Sequence, residues 1–277
     1  MKIIVKESIA KDLTKFVIQS PLIAKKALPG QFVVLMVNEA GERIPLTIVD
    51  VDKEKGLITI IFQEVGYTTK LLGKLAVGDS LYSLVGPLGK PTEIKNYGKV
   101  IVVGGGVGIA ELLPVVKAFK KAGCEISSIL GGRTEKLVIL RDQVKEFSDQ
   151  LYITTDDGSL GEKGLVIDPL KRLLSESSDW GLVFCVGPVV MMKAVSDLTR
   201  GYKIETIVCL NAIMIDGTGM CGGCRVTVNN KTKFTCVDGP DFDGHKVDFN
   251  ELMTRQKRFL QHEDKSMCKL NKQINNE

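Results

Sequence analysis

Val100–Ile101–Val102–Val103–Gly104–Gly105–Gly106–Val107–Gly108–Ile109–Ala110 reads as a buried strand, a glycine turn and the start of a helix. The apolar run is continuous rather than alternating, as a strand covered on both faces requires. The helical pattern continues to Ala122, and the alternation then repeats. Strands are predicted at Ile126–Leu130, Leu151–Thr154 and Leu182–Val186, and helices at Pro169–Ser175 and Val189–Leu198. Strands and helices in turn specify a parallel sheet with helices on both faces, so residues 98–207 are expected to form an α/β domain.

A glycine turn between a buried strand and a helix brings backbone N–H groups close to a pyrophosphate, where the helix dipole favours negative charge. The spacing of Gly104, Gly106 and Gly108 is not the usual G-x-G-x-x-G, and the second strand ends in Gly131–Gly132–Arg133 rather than an acidic residue. Alone, the turn could be only a tight turn. Thr154–Thr155–Asp156–Asp157–Gly158–Ser159 and Gly187–Pro188 follow later strands, and loops at the carboxyl ends of parallel strands converge on one crevice. The candidates for nucleotide binding are therefore Gly104, Gly105, Gly106, Val107, Gly108, Thr155, Asp156 and Gly187. Asp156 and Asp157 would accept hydrogen bonds from ribose hydroxyls and repel an extra phosphate, which favours NAD(H) over NADP(H).

Upstream, residues 1–97 are β-rich. Phe32–Val37 and Leu57–Phe62 are β-branched and apolar runs punctuated by Gly30, Gly41 and Gly56, a spacing that suggests a small barrel. Arg43–Ile44–Pro45–Leu46–Thr47 offers a guanidinium suited to pyrophosphate and a hydroxyl on a stiff backbone. Gly66–Tyr67–Thr68–Thr69–Lys70 offers small donors for phosphate. On residues alone these could equally be a solvated edge strand and an ordinary turn.

Downstream, Cys221, Cys224 and Cys236 crowd into a glycine-rich segment, while Cys124, Cys185, Cys209 and Cys268 are scattered. Cys185 and Cys209 sit in apolar runs and read as small core residues. Zinc and iron–sulfur sites both use C-x-x-C pairs. Plant-type [2Fe–2S] sites follow C-x4-C-x2-C with a distant fourth cysteine. Asp216 occupies the first of those positions, and Cys221, Cys224 and Cys236 the other three. A zinc site would need another ligand, for which His245 is the nearest candidate; a metal-free thiol loop is the third reading.

The 277 residues are long for one domain, and 44% hydrophobic with 25% charged residues is ordinary globular composition. A net charge of +4 gives no reason to invoke nucleic acid or an anionic membrane. Met1–Lys6 shows no secretory pattern, and Val100–Val116 is interrupted by glycines and Glu111, so a cytoplasmic location is expected. Asp248–Gln261 has near-helical apolar spacing, for packing on its own domain or for a subunit contact. Beyond Glu263 the polarity suggests a frayed end.

Two of these motifs, in this order, resemble the ferredoxin–NADP reductase superfamily, in which an R-x-P-[LIV]-[ST] strand binds flavin ahead of a GGG-[IV]-GIA nicotinamide loop. They are Arg43–Thr47 and Gly104–Ala110, and Gly86–Pro87–Leu88–Gly89 resembles the superfamily's GPLG turn between domains. Glu111 departs from the proline common after GIA. With the cysteine loop added, the chain is similar to two branches: small subunits of NADH-dependent reduced ferredoxin:NADP oxidoreductase (sulfide dehydrogenase), and electron-transfer subunits of dihydroorotate dehydrogenase. The motif from Leu210 to Val226 carries that likeness; Asp216 matches the aspartate of the first branch, and Ala212 departs from a common proline.

The resemblance implies a multi-domain β plus α/β architecture. Residues 1–97 would be an FAD-binding β-barrel, 98–207 an NAD(H)-binding domain, 208–245 a [2Fe–2S] domain and 246–277 a helix and tail. It implies FAD held by Arg43, Pro45, Leu46 and Thr47, with its pyrophosphate at Gly66, Thr68 and Thr69, and a [2Fe–2S] cluster on Asp216, Cys221, Cys224 and Cys236. Hydride exchange between nicotinamide and flavin would then need no side-chain catalyst in this chain. Single electrons would pass to or from a larger partner bearing a second FAD, [4Fe–4S] clusters and an NADP(H) site, and through it ferredoxin.

Overall fold

The computed structural model describes residues 1–274, with side chains through Cys268. At the N-terminus, the strands Ile3–Ala10, Leu13–Gln19, Leu57–Gln63 and Asp50–Asp52 pair antiparallel in one sheet. Ile44–Thr47, Phe32–Met36 and Ser83–Leu88 form a second. The expected small barrel thus takes the form of two facing antiparallel sheets around one core. Alternation puts Phe16, Ile18, Ile58, Ile60 and Phe62 on the inner face of the first, where they meet Val33, Leu35 and Leu84 of the second. Phe16 and Phe62 meet edge to face, ring centres 5.1 Å apart.

The central sheet has seven strands. From Lys99–Gly105 the chain moves outward on one side through Glu125–Gly132, Gln150–Thr155 and Glu162–Lys163, then restarts on the other side with Trp180–Val186 and Thr206–Cys209. These six are parallel. Successive residues enter opposite cores: Val100, Val102, Leu182 and Phe184 pack under the helix Gly108–Lys121, while Ile101, Val103, Val183 and Cys185 pack under Ile167–Glu176 and Val189–Tyr202. The order reverses between Lys99–Gly105 and Trp180–Val186, the position where open α/β sheets have their crevice.

The seventh strand, Asp241–Asp243, lies antiparallel to Thr206–Cys209 and comes from the cysteine-rich segment. That segment also forms the hairpin Arg225–Val228 and Lys231–Phe234. The helix Phe249–Gln256 is capped by Asp248, whose carboxylate accepts from the Glu251 N–H at 2.9 Å. Its Phe249 and Leu252 are buried with Val226 and Val228, so this face packs on its own chain. The end expected to fray is instead helical over Leu260–Ile274. Lys and Gln are prominent among its polar residues and are good helix formers, so low hydrophobicity there did not mean absence of structure.

Phe184 is 1% exposed and stacks edge to face on Phe119, ring centres 6.1 Å apart. Phe184→Ala should lower stability by about 3–5 kcal/mol, read from the midpoint of a urea unfolding curve.

Candidate active site, two cavities and a cysteine loop

A cavity of about 650 Å³ opens at the carboxyl ends of the parallel strands. Gly105, Gly106, Val107 and Gly108 form one lip and Gly187 and Pro188 the other; Gly131, Thr154 and Asp156 continue the wall. Bare backbone is required here. A Cβ on Gly108 would stand 2.8 Å from the Val186 carbonyl oxygen, and Gly106 has φ +58°. Glycine therefore lets the first turn of Gly108–Lys121 close directly on the neighbouring strand, leaving N–H groups free to face an anion.

Thr155 departs from its expected place. Its hydroxyl donates to the Leu160 carbonyl at 2.9 Å and accepts from the Leu160 N–H at 3.1 Å, bracing the loop. Its neighbour Thr154 lines the cavity instead, and its buried hydroxyl has no partner among the described residues. An orphaned hydroxyl on a cavity wall fits a polar ligand there. Arg133 stands on the same wall, exposed, so the nucleotide end of the cavity carries a cation as well as Asp156.

A second cavity, about 190 Å³, lies between the N-terminal sheets and the central sheet. Pro45, Leu46 and Thr47 form one side, with Phe62 and Thr69 nearby, and Ala212 and Met214 form the other. A mostly apolar lining with the hydroxyls of Thr47 and Thr69 fits an aromatic ring system. Arg43 is exposed beside it. Thr68 donates to Glu42 at 2.6 Å, and the Thr69 hydroxyl is engaged with the Gly66 N–H and carbonyl, so these two hydroxyls are committed within the protein. The two cavities share Gln63, Val107, Glu111, Cys209 and Asn211. Cys209 is a buried core residue, as the sequence suggests, and also borders this common wall.

The wall runs on into the cysteine loop. Asp216 accepts from the Thr218 N–H at 2.7 Å and the Cys221 N–H at 2.8 Å; the Thr218 bond is the main reason its carboxyl is held below the usual range. Cys224 and Cys236 are buried with sulfurs 3.2 Å apart, and Cys221 is exposed at the rim. Burial, and then the adjoining Cys224 thiol, push the Cys236 thiol up. The Gly223 N–H points at Cys221 Sγ at 3.3 Å.

Positive φ at Gly217, Gly219 and Gly222 folds the loop back on itself. Among the described residues, no three His, Cys, Asp or Glu side chains converge as on a single ion. Three thiols and a carboxylate spread over a wrapped loop nevertheless fit a two-iron cluster in donor chemistry, since its ligands divide between two irons. His245 belongs elsewhere: its Nε2 is 2.9 Å from Thr199 Oγ1, so the zinc alternative lacks its fourth ligand.

Sequence reading did not find the residues that hold this loop in place. Arg255 donates to the Gly223 carbonyl at 3.1 Å, and Gln256 donates to the Asn211 carbonyl at 3.2 Å. One helix thus grips both ends of the loop.

Residues 211–248 match the iron–sulfur cluster binding domain of dihydroorotate dehydrogenase B, and residues 102–197 match the oxidoreductase NAD-binding domain. A Thermotoga maritima protein named as a homologue of the dihydroorotate dehydrogenase B (NAD(+)) electron transfer subunit is 48% identical, over 95% of this chain and 92% of its own. The chain belongs to the family of dihydroorotate dehydrogenase B electron-transfer subunits and their homologues. A Fusobacterium nucleatum member of that family, named as the electron transfer subunit, is 33% identical over 84% of this chain and 91% of its own.

A solved structure of the NADH-dependent reduced ferredoxin-NADP oxidoreductase, described for flavin-based electron bifurcation, superposes with a TM-score of 0.92. It is 47% identical and covers 97% of both chains. Phthalate dioxygenase reductase, at 18% identity and a TM-score of 0.55 over 85% of this chain and 93% of its own, shares the fold. The family accounts for both the nucleotide crevice and the cysteine loop on one chain. No helix among the described residues is long and apolar enough to cross a membrane.

Exposure separates the thiols. Cys185 and Cys209 are buried, which pushes both thiols well above their ordinary range, and Cys224 and Cys236 are also enclosed. Brief iodoacetamide treatment of cluster-free protein should label Cys221 and Cys268, with the other five protected until denaturant is added; peptide mass spectrometry reads the order.

Proposed function

We propose that this chain is an electron-transfer flavoprotein subunit that exchanges hydride between NAD(H) and FAD and passes single electrons through a [2Fe–2S] cluster to or from a larger partner. NAD(H) occupies the larger cavity and the FAD ring the smaller. The observation that carries this reading is continuity. Val107, Glu111, Cys209 and Asn211 face both cavities, and the same strand end continues through Ala212 and Met214, against the smaller cavity, to Asp216.

The bound cofactors supply the redox chemistry, and the chain binds, orients and separates them. Gly105–Gly108 and Gly187 seat the dinucleotide phosphates, with Thr154 adding a hydroxyl and Asp156 the ribose contact. Pro45, Leu46 and Thr47 face the flavin ring. Gly66 and the N-terminus of the helix Tyr67–Lys74 take the flavin phosphates, with Arg43 alongside and Thr68 and Thr69 exchanging their present bonds for that contact. Asp216, Cys221, Cys224 and Cys236 hold the cluster. The domain division is 1–97, 98–207, 208–245 and 246–277.

The related oxidoreductase, described for flavin-based electron bifurcation, supports a bifurcating transhydrogenase as the assembly. In this reading the partner carries a second FAD, [4Fe–4S] clusters and an NADP(H) site and meets ferredoxin. The reduced cysteines fit the cytoplasm. A dihydroorotate dehydrogenase electron-transfer subunit is the second reading, favoured by the names of the curated relatives. Asp216 in place of a thiolate supports the first. Purifying the native complex and assaying flavin, iron and NADH-dependent bleaching tests the core reading; a colourless chain defeats it. Dihydroorotate oxidation by that complex would establish the second reading.

Asp156 should favour NADH over NADPH in kcat/KM by about tenfold, or about 1.4 kcal/mol, and Asp156→Ser should narrow that ratio in stopped-flow reduction. A carboxylate donates less charge to iron than a thiolate, so Asp216→Cys should move the cluster potential to more negative values in a redox titration followed by electron paramagnetic resonance. An unchanged potential would exclude Asp216 as a ligand that tunes the cluster.

A further inference from the structure

The wall between the cavities carries more ionisable chemistry than hydride exchange needs. Glu111 lies in the first turn of the helix Gly108–Lys121, and its half-buried side chain faces both cavities. Thr47 lines the smaller cavity with it, and Cys209 Sγ stands 4.0 Å from Oε2. Asp241 is the cross-strand partner of Cys209 in the sheet, so the thiol lies beside both carboxylate-bearing residues. Thr92 donates to Asp241 Oδ2 at 2.6 Å, while Oδ1 is buried with no partner among the described residues.

Thr47 and Cys209 stand beside Glu111 on the cavity wall, and the charge of Asp241 reaches it; Thr92 and Cys209 stand beside Asp241. None of these is a cation, and the one cation lining either cavity among the described residues is the exposed Arg133. Two carboxylates that share a poorly hydrated site without a counter-ion cannot both ionise cheaply. Burial, and then the charge of Asp241, push Glu111 up to about 7; burial pushes Asp241 up to about 6. An orphaned carboxylate oxygen is also what an unsatisfied proton site looks like.

We propose that Glu111, on the wall between the cavities, and Asp241, joined to it through Cys209, act as one proton-holding pair, and that the pair takes up a solvent proton once the neighbouring flavin has accepted a hydride and NAD⁺ has left. The proposal rests on placing FAD in the smaller cavity. The C–H bond of the reduced nicotinamide breaks, its two electrons and hydrogen pass to the flavin, and the NAD⁺ so formed, which offsets the charge of the reduced flavin while both are bound, leaves the larger cavity. The reduced flavin then carries one uncompensated negative charge, and one solvent proton enters the pair, so the interior returns to its former net charge. No atom passes between pair and flavin. Glu111 and Asp241 are positioning residues that couple flavin reduction to pH.

The sign follows from linkage. Added negative charge raises the proton affinity of the pair, so reduction is favoured as pH falls, with a slope of up to about tenfold per pH unit for one proton. The slope sets in above the Glu111 value of about 7, where both groups are ionised before reduction.

The test is reductive titration of the flavin in the intact complex against fixed NADH/NAD⁺ ratios over a pH series, for the native protein and Glu111→Gln. Native protein should lose about tenfold more of its reduction equilibrium constant per pH unit than the variant. A reduced-minus-oxidised infrared spectrum of native protein should gain a protonated-carboxyl C=O band that Glu111→Gln or Asp241→Asn alters. Equal pH slopes, or no carboxyl band in native protein, overturn the proposal. If Glu111→Gln does not fold, Asp241→Asn and the native infrared spectrum decide alone. Absence of flavin absorbance in the purified complex overturns the FAD placement and the proposal together, whereas flavin present with equal slopes overturns the proposal only.

Discussion

Close approach of two backbones, Gly108 against the Val186 carbonyl, is the constraint on which the rest of this molecule depends. It seats the long helix on the switch point of the sheet. The seat aims the helix N-terminus into the larger cavity and sets Glu111, in the next turn position, onto the wall of the smaller one. Any side chain at position 108 would force helix and strand apart, and main-chain atoms cannot rotate away as a flexible side chain can.

From that seat the architecture reads as a sequence of shared walls. Leu13, Val49 and Ile61 of the N-terminal sheets belong to the core under the helix Gly108–Lys121, and Phe32 and Val34 belong to the core that includes Cys224 and Cys236. The N-terminal sheets therefore touch both the nucleotide-binding sheet and the cysteine loop through continuous apolar packing. Burial on this scale, about 25 cal/mol per Å² of apolar surface, holds the cavities in register far more firmly than the exposed ion pairs at Lys117–Asp50 or Arg172–Glu162.

Backbone-driven features were legible in the sequence. Continuous apolar runs located four of the six parallel strands to within a residue or two, missing the short Glu162–Lys163 and Thr206–Cys209, and the glycine turn marked the crevice because it works through main-chain N–H groups. Side-chain assignments fared differently. Thr154, not Thr155, faces the cavity, because adjacent strand residues point to opposite sides and a shift of one reverses the reading. Cys209 is buried core, as its place at the end of an apolar strand suggests, and only the neighbouring sheets reveal that a cavity also opens beside it. Arg255 and Gln256 reach groups 32 and 45 residues away, and no local pattern announces such contacts. The polar helix Leu260–Ile274 resembled a loose tail because its residues favour helix without marking a buried face.

The strand Asp241–Asp243 gives the cysteine-rich segment a stake in the nucleotide sheet. An inserted or appended module joined by a linker can be exchanged between genes with little regard for its neighbour. Here a transplanted cluster segment would have to bring an edge strand of matching register, a Phe242 for the common core and a glycine at 244, where a Cβ would stand 2.4 Å from Ser196 Oγ. Replacing the cluster segment alone would therefore strip the nucleotide sheet of its edge strand and open the shared core around Phe242.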